Sequence, residues 1–159
     1  MSVNLLTSLK ENDSILINQT ASNWQDAVKI SCQPLLDKGL ISTEYVHAII
    51  QSTIENGPYY ILAPFLAMPH AEAGKAVFGN GFSLVVFNKP FYFEADSRPV
   101  QILITLAATN SDIHTAVALP QIVAAFEDVA NIEKIKNAQS KEEIISRLEK
   151  VDFSKYLES

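Results

Sequence analysis

A chain of 159 residues with 48% apolar and 19% charged side chains has the composition of a globular protein, neither disordered nor fibrous. Its formal net charge of −6 and pI near 5.0 exclude a sequence-independent grip on nucleic acid, which needs clustered Lys and Arg, and no basic run is present. The single cysteine excludes an intramolecular disulfide framework.

The opening residues Met1-Ser2-Val3-Asn4 lack the charged-then-apolar shape of a signal peptide. The longest apolar run, Tyr59 to Pro69, is broken by Pro64 and falls short of the roughly 18 residues of a membrane span. The expectation is a cytoplasmic protein with one domain over residues 1–159 and no membrane crossing.

In chain order, Leu5, Leu6 and Leu9 suggest a short helix, and Ser14 to Asn18 alternates as a strand does. Ser22 and Gln25 have capping-box spacing, and Trp24, Val28, Cys32 and Leu35 then recur at helical spacing up to Asp37, with Pro34 inside and Gly39 as the stop. Ser42 is placed to cap a helix with Val46, Ile49, Ile50 and Ile54 on its apolar face, closed by Gly57-Pro58. Tyr59 to Ala63 reads as a buried strand leading into a loop that ends at His70.

Gly79-Asn80-Gly81 is a turn signal, and Phe82 to Phe87 and Val100 to Ala107 read as strands buried on both faces. Between them Phe91-Tyr92-Phe93 suggests an edge strand and Asp96-Ser97-Arg98-Pro99 a turn. Asp112 to Asp128 is apolar nearly all round, as a buried helix is, with a bend expected at Pro120. Ile132 and Ile135 suggest a further helix, and Ser140 with Glu143 forms a second capping box before Ile144, Ile145 and Leu148. Alternating strands and helices define an α/β class, three-layer, with a mixed β-sheet and helices on both faces.

Three histidines carry the candidate chemistry. His70 follows an apolar segment and Pro69 just after a strand end, where open α/β sheets place ligands. Neutral imidazole can act as a nucleophile toward a phosphoryl group without a separate base. Taken alone, the Pro-His pair is also compatible with a surface or core histidine. His114 falls in the first turn of its helix with Ser111 as N-cap and Gln121 on the same face; a helix start favours an anion and a neutral imidazole. A merely exposed His114 fits the sequence equally well. His47 flanks an apolar stripe and reads as structural, and Cys32 lies on an apolar face where a thiol is inert. No CxxC, HExxH, G-x-S-x-G, Walker loop or GxGxxG occurs, so neither metal nor cofactor is expected.

A collinear series resembles the IIA components of the bacterial phosphoenolpyruvate-dependent sugar phosphotransferase system, mannitol/fructose type, nearest to the ascorbate-specific branch. The series includes Trp24-Gln25-Asp26-Ala27-Val28, Gly57-Pro58-Tyr59-Tyr60, Ala63-Pro64-Phe65-Leu66-Ala67-Met68-Pro69-His70, Gly81-Phe82-Ser83-Leu84-Val85 and Ile102-Leu103-Ile104-Thr105-Leu106-Ala107-Ala108. It continues through Gln121-Ile122-Val123 and Phe126-Glu127-Asp128.

The resemblance implies a phosphotransferase in which His70 accepts a phosphoryl group from the carrier HPr and passes it to a cysteine of a IIB protein. A membrane IIC transporter would then take up the sugar. His114 matches the second active-site histidine, which would hold the phosphoryl oxygens. The phosphorylated ring nitrogen and any homo-oligomer stay open. Phe65, Leu66 and Met68 fit two readings, part of an apolar docking surface around His70 or simply core. Two positions depart from the family pattern. Where the ascorbate branch has an arginine and a proline after the active histidine, this chain has Ala71-Glu72-Ala73-Gly74-Lys75, so Lys75 or Arg98 is expected to offset Glu72. The helix before the active loop also lacks a basic residue between Gln51 and Glu55. A different class of reading is a regulatory module whose phosphorylation state controls a transporter or transcription factor.

Overall fold

The computed structural model describes residues 4–72 and 76–157. Its elements are α1 (Leu5–Glu11), β1 (Ile15–Gln19), α2 (Trp24–Asp37), α3 (Thr43–Asn56), β2 (Ile61–Ala63), β3 (Phe65–Ala67), β4 (Gly81–Phe91), β5 (Val100–Ala107), a π-helical segment (Ile113–Ala118), α4 (Leu119–Phe126), α5 (Val129–Lys136) and α6 (Lys141–Leu148). The five strands form one mixed sheet in the order β1-β4-β5-β3-β2. β1 runs parallel to β4 and β3 to β5, while β4 and β5 pair antiparallel, with Leu84 opposite Ile104.

Strand side chains alternate between faces, so each central strand feeds two cores. Phe82, Leu84 and Val86 of β4, with Ile102, Ile104 and Leu106 of β5, pack with α1, α4, α5 and α6. Val85 and Phe87, with Leu103 and Ala107, pack on the other face with Trp24, Val28, Cys32 and Leu35 of α2 and Tyr45, Val46 and Ile49 of α3. The three-layer α/β class expected from the sequence is therefore the observed one.

A small polar cluster is sealed into the α2 face. Ser31 Oγ donates to Val28 O and lies 2.7 Å from Thr105 Oγ1, and Ser83 Oγ donates to Ser31 O. All three residues are fully buried, and their mutual bonds remove the penalty for burying hydroxyls.

Several element boundaries differ from the sequence reading for identifiable reasons. Asn23, not Ser22, caps α2, accepting from Asp26 N at 2.8 Å, and the Asp26 carboxylate instead accepts from Ser22 N and Oγ. Tyr45 and Thr53 take buried places on α3, and Ile54 is 58% exposed. Ser42 stands at the N-cap of α3 without a capping bond from its side chain. The strand expected from Tyr59 begins only at Ile61, because Pro58 to Ile61 closes a turn through Ile61 N to Pro58 O.

The segment after Ala63, expected to be loop, holds β3, reached by a reversal at Pro64 and Phe65. Phe65 takes a φ of 72°, a conformation usually signalled by Gly or Asn, and its N–H donates to Pro99 O. Phe91 ends a long β4, so no separate edge strand forms there, and Tyr92 is exposed beside buried Phe93. The single helix expected from Asp112 to Asp128 is a π-helical segment, then α4, then α5. Pro120 has no N–H for the carbonyl four residues earlier, and the widened turn ends just before it. The second capping box forms as expected at Ser140 Oγ, which accepts from Glu143 N, but the Glu143 carboxylate reaches back to Gln139 N.

Burial gives the α2–α3 face an alkaline weakness. The Cys32 thiol is pushed up to about 12, and desolvation also raises Tyr45 and Tyr60 above the ordinary phenol range. Each group keeps its proton in the folded chain and loses it in the unfolded chain, so stability falls as pH rises through the unfolded-state values of about 8.5 for the thiol and about 10 for the phenols. Urea unfolding should show a loss between about pH 7.5 and about pH 9.5 of which roughly 1 kcal/mol belongs to the thiol. Cys32→Ala should remove that part; an unchanged pH dependence in this variant would contradict the assignment.

Candidate functional site

His70 stands three residues beyond β3, beside the end of β5. The backbone that carries it is tied at each step: Met68 N donates to Tyr60 O (3.0 Å), Leu106 N to Pro69 O (3.3 Å) and Ala71 N to Tyr45 Oη (3.2 Å). Tyr45 Oη in turn donates to Leu106 O at 2.6 Å, so one phenol from α3 joins the segment after His70 to the end of β5. Its neighbour Tyr60 is anchored by Thr53, whose hydroxyl meets Tyr60 Oη at 2.5 Å.

The imidazole itself is half-buried, with Nδ1 2.7 Å from Met68 O. A carbonyl only accepts, so Nδ1 carries the proton, and in the neutral ring Nε2 holds the lone pair. Tyr59 stands edge-on to the ring, centroids 5.4 Å apart at 88°, and Tyr60 lies at 5.9 Å.

The ring opens on a cleft of about 320 Å³ lined by Tyr45, Ser52, Tyr59, His70, Ala71, Glu72, Leu106, Ala108 and Ser111. Hydroxyls from three elements converge here with one carboxylate, and among the described lining residues there is no lysine or arginine. Among the described residues no group of His, Cys, Asp and Glu could hold a metal ion.

The second sequence candidate, His114, lies in the π-helical segment on the chain that leaves this end of β5. Its side chain is outside the described residues, as is the whole of Lys75. The cap that starts this helical run is Asn110 rather than Ser111: Asn110 Oδ1 accepts from Ile113 N at 2.9 Å. Asn80 holds the approach, accepting from both Thr109 N (2.7 Å) and Thr109 Oγ1 (3.1 Å). Gln121 is buried, accepting from Leu5 N and donating to Val117 O.

Two further expectations are corrected. Leu66 and Met68 are each 1% exposed and belong to the sheet core, and Phe65 is half-buried under Lys136 Nζ, so these residues form no docking surface around His70. Arg98 does not offset Glu72. It grips Asp96 through Nε and a terminal nitrogen, holding that carboxyl down at about 2, and it precedes β5 at the end remote from His70. At about 3.3 Å per residue, Val100 and Leu106 are roughly 20 Å apart along the strand. His47 is exposed and outside the cleft.

Tyr45, Tyr59, Ser52, Ser111, Asn80 and Asn110 were not singled out by sequence reasoning as site residues. Tyr45 and Asn80 carried weak signals: a polar-tipped aromatic inside an apolar stripe, and an amide in a glycine turn. Ser52 carried none, because a serine on a helix surface has no distinguishing pattern.

The fold is shared with solved phosphotransferase IIA proteins. A PTS IIA protein, PtxA, from Streptococcus mutans is 46% identical and superposes with a TM-score of 0.92, covering 99% of this chain and 100% of that one. The mannitol-specific cryptic phosphotransferase enzyme IIA CmtB from Escherichia coli is 35% identical, with a TM-score of 0.80 over 89% of this chain and 97% of that one. Residues 8–151 match the family described as phosphoenolpyruvate-dependent sugar phosphotransferase system, EIIA 2, and the chain belongs to it. An ascorbate-specific PTS system EIIA component from Mycoplasma pneumoniae is 38% identical over 149 residues, 94% of either chain.

The Tyr45 bridge is testable. Tyr45→Phe keeps the ring but leaves Ala71 N and Leu106 O without their partner, and should lower stability in urea by about 1–3 kcal/mol. Amide exchange at Ala71 should quicken in the same variant; unchanged exchange there would show that the hydroxyl does not hold the loop.

Proposed function

We propose that the chain, as one domain over residues 1–159, is a cytoplasmic phosphocarrier that accepts a phosphoryl group on His70 from HPr and passes it to a IIB protein serving a membrane IIC transporter. The observation that carries this reading is the pinned imidazole: Nδ1 is committed to Met68 O, which leaves Nε2 with the nucleophilic pair in a cleft at the end of the sheet. The Nε2 pair attacks phosphorus, and the donor's N–P bond breaks with its electrons returning to the donor ring. In onward transfer a IIB thiolate forms the S–P bond while the His70 N–P bond breaks and its pair returns to Nε2.

The hydrogen bond at Nδ1 serves both halves, since the ring becomes electron-poor while it carries phosphorus and the carbonyl dipole stabilises that state. Catalysis of this kind rests on positioning more than on covalent help from the protein. His114 is assigned the role of holding phosphoryl oxygens, on the family resemblance. Glu72 at the cleft rim raises the free energy of an added phosphoryl dianion and thereby favours giving it up. The name of the Mycoplasma pneumoniae relative supports ascorbate as the sugar carried.

Incubation with labelled phosphoenolpyruvate, enzyme I and HPr should place acid-labile, base-stable label on the protein, which then moves to a IIB protein. His70→Ala should abolish labelling, and His114→Ala should still be labelled but transfer onward poorly. Equal labelling of the wild type and His70→Ala would overturn the site assignment, and label that never leaves would turn the reading toward a regulatory module.

A further inference from the structure

We propose that Tyr59 is the wall that keeps water from a phosphoryl group on His70 and so sets how long the charged carrier survives. This rests on the phosphocarrier reading above and adds a residue to it. Two adjacent tyrosines have opposite fates here. Tyr60 is 1% exposed and its phenol is spent on Thr53, which places it in the fold's own packing. Tyr59 is 51% exposed, so its ring contributes little to the core, and it stands edge-on beside the imidazole.

The backbone makes that placement deliberate. Gly57 takes a φ of 76° to end α3, its N–H donating to Thr53 O, and Pro58 then opens the turn that projects Tyr59 over the cleft. The phenol is held only at long range, donating to His70 O at 3.3 Å and lying 3.5 Å from Ser52 Oγ. Those contacts orient the ring along the rim without burying it.

Solvent access matters because phosphohistidine has a competing fate. A water oxygen can bond to phosphorus as the N–P bond breaks, the pair returning to Nε2 and the water's protons leaving with the phosphate or to solvent. At about 30 Å³ per water, the cleft has room for roughly ten molecules, so its side walls decide how many reach the phosphorus. Removing the Tyr59 ring takes away the wall beside the imidazole while leaving the Nδ1 bond to Met68 intact.

The test follows decay of the label on wild type, Tyr59→Phe, Tyr59→Leu and Tyr59→Ala after charging through HPr and removal of the donor. Tyr59→Ala should shorten the half-life by about fivefold or more, Tyr59→Leu less, and Tyr59→Phe should stay within about twofold of wild type. In urea all four should decay alike, since the effect belongs to the folded cleft. Urea midpoints should be nearly equal across the set, which separates shielding from a merely structural role. Wild-type half-lives in Tyr59→Ala and Tyr59→Leu would overturn the proposal and leave the carrier reading standing. Should Tyr59→Ala not fold, Tyr59→Leu against Tyr59→Phe decides. A wild type that takes no acid-labile label on His70 would overturn both.

Discussion

One short hydrogen bond governs what the candidate site can do. With Nδ1 donating to Met68 O, the His70 ring loses its rotational freedom and its choice of tautomer together. The bond works only if Met68 itself cannot move, and that condition reaches outward through the fold. Met68 N is tied to Tyr60 O, Pro69 O receives Leu106 N, and Ala71 N is met by the Tyr45 phenol. Helix α3 thus supports the site through its buried face, and the central strand β5 supports it through its end.

The same reasoning explains why the sheet must be covered on both sides. β5 is buried along almost its whole length, and its position is set by α1, α4, α5 and α6 on one face and α2 and α3 on the other. The buried Ser31, Ser83 and Thr105 hydroxyls add directionality that apolar packing lacks, fixing where α2 sits on the strands. Charge is used sparingly. The described cleft residues bring hydroxyls and one carboxylate to the imidazole, and Arg98, one of the two sequence candidates for a compensating cation, is spent on Asp96 at the far end of the strand.

Much of this was legible in the residues. The long periodic segments of α2, α3, β4 and β5, the glycine stops and the α/β class followed from spacing and punctuation. His70 does stand beyond a strand end, but that strand is β3 and not the Tyr59–Ala63 run, and the Pro69-His70 pair alone fits a surface or core histidine as well. The shifts of cap from Ser22 to Asn23 and from Ser111 to Asn110 are local choices between neighbouring polar residues, whereas most other misses depend on partners further along the chain. Phe65 adopts a left-handed backbone because β5 pairs with it, and no local signal says so. Of the two readings open for Leu66 and Met68, core and docking surface, the pairing of β3 with β5 decides for core. Tyr45, Asn80 and Ser52 acquire their roles from contacts that cross 26, 29 and 7 residues of chain.

The most direct measurement is NMR of the phosphorylated protein with 15N-labelled histidine, reading which ring nitrogen couples to phosphorus. Coupling to Nε2 of His70, with a protected proton retained on Nδ1, is the predicted result. Phosphorus on Nδ1 would require the bond to Met68 O to break and would contradict the central claim, as would phosphorus on any other residue.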